Sequence, residues 1–207
     1  MVGLVLCVSG ASAYLGNAAH VKPLLDLGSV ILKSGDVVFR RGGSLASDLV
    51  LSADGRSTFS HVGIVKVVEG VPWVIHAIVD EPPGDAGSVK FEPLREFLTP
   101  DRAIEAAIYR PRSSFQKNGE VAAQVAMTYA NRHVPFDSDF DLATPDKLYC
   151  TELIWRAYRE AGIELTDGRF DQLSLPFAHD SYLLPSTLQA SRFLEPLLTS
   201  SSERNVK

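Results

Sequence analysis

The sequence predicts an α+β domain, and three observations carry that prediction. Between Gly35 and Arg110 the apolar residues fall in short Val- and Ile-rich runs punctuated by Gly and Pro, as strands do. Beyond Pro111 the apolar spacing becomes helical. A chain of 207 residues without internal repeats or a linker is sized for one hydrophobic core. Strands first and helices afterwards, around one core, is the α+β order rather than the alternation that builds a parallel sheet.

The elements follow in order. Asp36-Val37-Val38-Phe39, behind Ser34-Gly35, is a first short strand. Residues 44–52 read as a short helix with Ser44 as its cap. Ser60 to Val68 and Val71 to Val79 are two further strands, with Gly70 at the turn between them. Ser88 to Phe91 and Ala103 to Tyr109 complete five strands, separated by one helical turn from Pro93 to Leu98. Ser113 or Ser114 then caps a helix that runs to about Asn131, with Val121, Val125 and Tyr129 on one side. A Pro- and Asp-rich loop leads to a helix from Cys150 to Ala161, which Gly162 ends as a C-cap glycine. Pro176 and Pro185 punctuate an irregular tail, and Thr199 to Lys207 read as disordered. One domain is expected over residues 21–198.

Composition excludes some functions. The net charge of −5 is made of interspersed acids and bases with no basic run, so a nucleic-acid footprint is missing. Two cysteines, Cys7 and Cys150, cannot build a disulfide framework, and no short-spaced Cys or His pair suggests structural zinc. Residues 1–13 form an apolar run ending in Ala11-Ser12-Ala13, which resembles a secretory h-region and cleavage site but lacks a basic n-region. The expected location is outside the cytoplasm, periplasmic or secreted, with a cytoplasmic protein as the alternative. The run is shorter than the about 20 apolar residues of a membrane span, so no stable membrane insertion is expected. Oligomeric state is left open.

Three residues suggest chemistry. Cys150 opens a helix, where unpaired N–H groups and the helix dipole favour the thiolate, although a free cysteine is also a common core residue. His61 heads one strand and His76 lies on the next. A hairpin centred on Gly70 sets residue 64 opposite 76 and His61 near 79, so a bulge or a neighbouring register would bring the imidazoles together. Together the three fill the places of nucleophile (Cys150), general acid/base (His61) and orienter (His76). An isolated histidine is most often a core residue, but three candidates in these local contexts shift the balance. Tyr149 could donate to an oxyanion or could be a packing tyrosine. Asp137 could meet substrate or could simply form its turn. Glu152 reads as an acid complementing the helix dipole, and the Cys150 backbone N–H as an oxyanion donor. No cofactor and no metal are expected, with zinc on His61, His76 and Cys150 as a chemical alternative.

Gly35-Asp36-Val37-Val38-Phe39, then Ser60-His61-Val62-Gly63-Ile64, then Tyr149-Cys150-Thr151-Glu152-Leu153-Ile154-Trp155 resemble, in this order, the permuted papain-like amidases of the NlpC superfamily, in the YiiX/YaeF-like branch. The histidine strand precedes the cysteine helix, the reverse of ordinary papain-like enzymes. Phe91 to Leu98, Ala107 to Pro111 and Pro135-Phe136-Asp137 are similar to that branch as well. The resemblance implies a circularly permuted papain-like fold, with a small antiparallel barrel-like sheet packed on the cysteine helix. It also implies amide hydrolysis through a thioester acyl-enzyme. The third position in similar enzymes is commonly Glu, and His76 departs from that pattern. The function expected is a cysteine amidase or peptidase for small peptide-like or N-acyl substrates, including cell-wall peptides. The alternatives are a lipid-type acyltransferase or amide hydrolase, and a non-catalytic module that binds muropeptides or acyl groups.

Overall fold

A computed structural model describes residues 24–28, 30–43, 45–79, 87–172 and 181–200. The expected signal segment at 1–13 and the tail from residue 201 lie outside the described residues. The fold is organised by a six-stranded antiparallel sheet in the order β4-β3-β2-β1-β5-β6. The strands are β1 (Val37–Arg41), β2 (His61–Val68), β3 (Val71–Ile78), β4 (Ser88–Pro93), β5 (Glu105–Pro111) and β6 (Leu194–Thr199). The helices are α1 (Leu45–Asp54), α2 (Leu94–Phe97), α3 (Gln116–Asn131), α4 (Cys150–Glu160) and α5 (Pro185–Gln189). The sheet is open, with β4 and β6 at its edges, so the barrel-like closure that the resemblance implied is absent. No helix among the described residues is long and apolar enough to cross a membrane.

The strands read as nearly continuous apolar runs because both faces of the sheet are covered. Val37, Phe39, Val62, Ile64, Ile75 and Ala77 face one way, into a core shared with α3 and α4. Val38, Val65, Val74 and Ile108 face the other way, beneath Leu25, Leu32, Leu94 and Phe97. The β2–β3 turn is two residues, Glu69 and Gly70, at φ of 50° and 80°, the left-handed pair of a type I′ hairpin.

β6 lies where the sequence suggested an irregular tail. Its apolar run is broken by Pro196, which pairs with Tyr109 beside a register shift, as a proline on an edge strand must. The strand reaches Thr199, so the expected disorder does not begin there.

The buried face of α3 also differs from the expected one. Gly119, Ala122, Ala123, Ala126 and Ala130 point inward, while Val121 is 50% exposed. Small residues are needed because α3 approaches backbone: a Cβ on Gly35, itself at φ 97°, would fall 2.4 Å from the Gly119 carbonyl carbon. The Tyr158 hydroxyl of α4 donates to the Gly35 carbonyl from the same side.

Asp36 fixes the entry to β1. Its fully buried carboxylate takes Arg110 Nε at 2.8 Å and Nη2 at 2.7 Å, and accepts the Lys33 N–H at 2.8 Å. Removing one member of such a bidentate pair leaves the other charge unpaired. Asp36→Ala is expected to lose roughly 3–5 kcal/mol in urea unfolding. A loss below about 1 kcal/mol would mean that the pair is no more than a surface bridge.

Candidate active site

The chain enters the site through a closed loop. Phe136 and Leu148 form a parallel bridge, and Asp137 N donates to Leu148 O at 3.1 Å, so residues 137–147 leave and return at one place. Tyr149, in extended backbone, is the N-cap of α4, and the buried Glu152 in the first turn pairs with Arg156 one turn later at 2.6 Å. Cys150 is therefore the first helical residue. Thr151 Oγ1 secures that first turn with a 2.5 Å bond to Leu183 O.

The thiol is only partly exposed, and its polar surroundings are backbone N–H groups from Val62, Thr151 and Cys150 itself. Burial nevertheless pushes it up to about 11, and those N–H groups draw it back only in part. Burial thus works against the thiolate that the helix start favours. The Val62 contact also locates the sulfur, since Val62 follows His61 in β2.

The two imidazoles meet without a bulge. Pairing runs from Val68↔Val71 to Ile64↔Ile75, so the turn has one more residue than a hairpin centred on Gly70 alone. In this register His61 and His76 are diagonal neighbours on one face, within reach of long side chains. Gly63 lies between them, where a Cβ would fall 2.4 Å from Val74 Cγ1 and 3.2 Å from His76 Cβ. His61 Nε2 stands 2.9 Å from His76 Nδ1. Both rings rest on the buried Phe97, His61 stacked at 5.6 Å and His76 edge-on at 5.0 Å.

The diagonal continues one strand further. Val74 pairs with Glu92 on β4, which places Glu92 diagonal to His76. Glu92 Oε1 lies 3.0 Å from His76 Nε2, and Arg102 Nη1 donates to Glu92 Oε2 at 2.9 Å. Burial opposes ionisation of Glu92, but His76 and Arg102 overcome it and hold the carboxyl down at about 2. The protonation pattern follows from this network. An ionised Glu92 calls for a proton on His76 Nε2. Burial lowers His76 to about 4 against the pull of Glu92, so the ring is neutral and its Nδ1 is an acceptor. His61 must then carry its proton on Nε2, leaving Nδ1 bare. Burial, and next the charge of Arg40, hold His61 well below its usual value, so it too is neutral.

Arg40 is the buried cation of this site. Paired with His61 across β1 and β2, it donates to Phe97 O at 2.6 Å and lies 4.2 Å from the Phe97 ring centre.

A family model for the permuted papain-like amidase enzymes, YaeF/YiiX family, matches residues 31–172. The chain belongs to this family. It is accordingly a cysteine amidase or peptidase of permuted papain-like fold. Among solved structures, the crystal structure of metalloprotein yiiX from Escherichia coli O157:H7 matches at a TM-score of 0.65 and 21% identity. The match covers 81% of this chain and 97% of that one and bears on the fold. A search of curated proteins finds no match.

Within this amidase the two residues named as substrate contacts also have structural work. Tyr149 is 2% exposed, its hydroxyl accepts the Leu183 N–H at 3.0 Å, and burial pushes its phenol up, so it packs in the core as a protonated phenol. Asp137 is fully buried, and its two oxygens accept the N–H groups of Asp139 at 3.0 Å and Asp141 at 2.8 Å. It forms the turn of its own loop. The described residues do not gather three or more His, Cys, Asp or Glu side chains as a metal site requires. The facing nitrogens of His61 and His76 are engaged with each other.

Glu92 and Arg102 escaped the sequence reading. Glu92 sets a carboxylate against His76 from the next strand. The available signal was its even spacing on the strand after His76. Glu92→Gln is expected to lower kcat/KM about 10- to 100-fold while keeping the fold, because the amide can still accept from His76 but adds no charge to stabilise an imidazolium. An unchanged kcat/KM from pH 5 to 9 would reduce Glu92 to a structural partner of Arg102.

Proposed function

We propose that this amidase hydrolyses small peptide-like or N-acyl amides, with Cys150 as nucleophile and His61 Nδ1 as the base. The observation that carries this reading is the chain Arg102–Glu92–His76–His61, which ends on the residue next to Val62, whose N–H meets the thiol. His61 takes the thiol proton as sulfur adds to the carbonyl carbon. Negative charge gathers on the carbonyl oxygen near the Cys150 N–H. His61 then gives that proton to the amine as the C–N bond breaks, leaving a thioester. Water, deprotonated by His61, adds to the thioester, and the acid leaves as the thiol is restored.

Because thiol and imidazole are both neutral at rest, proton transfer accompanies attack instead of preceding it. Glu92 acts through His76 to stabilise the imidazolium that forms transiently on His61. Substrates from the cell wall, and export guided by the apolar segment ending at Ala13, belong to the same proposal.

The test is amine release from a panel of N-acyl amides and cell-wall peptides, before and after alkylation of Cys150. Release that stops on alkylation supports the reading. Release undiminished by it, or none across the panel, contradicts it.

A further inference from the structure

The edge strand β4 is covered only at its start. There the chain adds a short strand of its own: Val89 N donates to Val134 O at 2.8 Å, Phe136 N donates to Gly87 O at 3.0 Å, and Ser88 pairs antiparallel with Pro135 between them. That added segment begins at Val134 because α3 ends just before it. His133 sits at φ 48°, and Val134 N donates back to Tyr129 O at 3.2 Å in the cap of the helix. Past Val89 the edge is bare. Since Val89 donates away from β3, alternation turns the N–H and C=O of Phe91 the same way, and among the described residues neither group has a hydrogen-bond partner.

The bare edge opens onto a cavity of about 480 Å³. Half-buried Phe91, stacked on Trp73 at 4.8 Å between ring centres, forms one wall, with Met127 and Ala130 of α3 and the exposed Asn131 and His133 around it. A strand added here in the direction of Val134–Phe136 exchanges both of its bonds with Phe91, and its residue opposite Phe91 sends its side chain to the Phe91 face, into the cavity. It cannot continue, because the next place along the edge is where His133 leads into Val134. The added strand therefore ends opposite Phe91, and its terminal carboxylate accepts the Phe91 N–H beside Lys90 and His133, which also line the cavity. The nearby acid, Glu92, is turned to the opposite face by His76 and Arg102.

We propose that the open edge of β4 is a peptide-binding site separate from the thiol, taking the free C-terminal end of an extended peptide as an added antiparallel strand with an apolar last side chain. Main-chain bonds to Phe91 attach the peptide, the cavity selects its last side chain, and Lys90 with the His133 ring favours a terminal acid over an amide. The site stands on β4 alone and does not depend on the amidase reading of Cys150.

The probe is the peptide fluorescein-Gly-Ser-Thr-Val-Thr-Leu with a free carboxylate. Binding is read by anisotropy on protein alkylated at Cys150, so that neither cleavage nor the thiol enters. Saturable binding is expected, weakened about tenfold when the carboxylate becomes an amide or when the Leu nitrogen, donor to the Phe91 carbonyl, is methylated. Replacing the terminal Leu by Asp, or filling the cavity with Met127→Trp, should weaken it by a similar factor. Saturating peptide should also slow exchange of the Phe91 amide hydrogen about tenfold, followed by NMR. Absence of saturable binding by the acid peptide would overturn the proposal. So would equal binding of acid and amide, or binding that leaves exchange at Phe91 unchanged, since the peptide would then lie elsewhere.

Discussion

Cys150→Ala is expected to abolish turnover, lowering kcat by on the order of 10⁶ as loss of a covalent nucleophile does. The only other cysteine in the sequence, Cys7, lies outside the described residues. The fold should survive. The side chain is only partly buried at the first position of α4, and the helix start is held by the Thr151–Leu183 bond. Removing one sulfur there should cost about 1 kcal/mol, near the average for a point substitution. Purified variant, checked by its unfolding midpoint and assayed on the best substrate, separates the two effects. A folded Cys150→Ala protein with near-parental kcat/KM would end the thiol mechanism.

His61→Ala is expected to lose about 10²- to 10⁴-fold in kcat/KM, the range of a positioned acid/base. His76→Ala should lose less, because nucleophile and base remain and only the tautomer and orientation of His61 are freed. The pH profile distinguishes this site from a thiolate–imidazolium pair. His61 is depressed well below its usual value by burial and then by Arg40, so it stays unprotonated, and competent as a base, well into acid. Its protonation is the acidic limb, which therefore falls below the ordinary imidazole value of about 6.5. Cys150 ionises at about 11, so the alkaline limb lies far above neutrality. The parent should thus show a broad plateau across neutral pH. An acidic limb at about 6.5 would mean that His61 is solvated and that the neutral pair is wrong.

The sequence made the sheet legible where local pattern decides structure. Strands β1 to β5 stood out as short apolar runs between turn signals, richest in Val and Ile in β2 and β3, and Gly162, at φ 87°, ended α4 as a C-cap glycine should. β6 was hidden because its apolar run carries Pro196 and pairs with a strand some ninety residues earlier in the chain. The α3 face was misread because approach of the helix to Gly35 favours alanines over the larger Val121.

In the site, Cys150, His61 and His76 were legible from their local settings, but their register was not. Counting the turn from Gly70 alone missed that Glu69 shares it, and one residue decides whether two side chains share a face. Glu92 and Arg102 were beyond reach because their role exists only when three strands lie side by side. The helix start at Cys150 is visible in sequence, whereas the burial that opposes ionisation there is a property of the packed molecule.

The measurement that tests the account most directly is the mass of the enzyme during turnover of an activated acyl ester. Such an ester acylates faster than water removes the acyl group, so the intermediate accumulates. Rapid acid quench followed by peptide mapping should find the acyl mass on the peptide containing Cys150, at near-stoichiometric occupancy and lost again as substrate is exhausted. Steady turnover with the acyl group on another residue, or continued in Cys150→Ala, would contradict it.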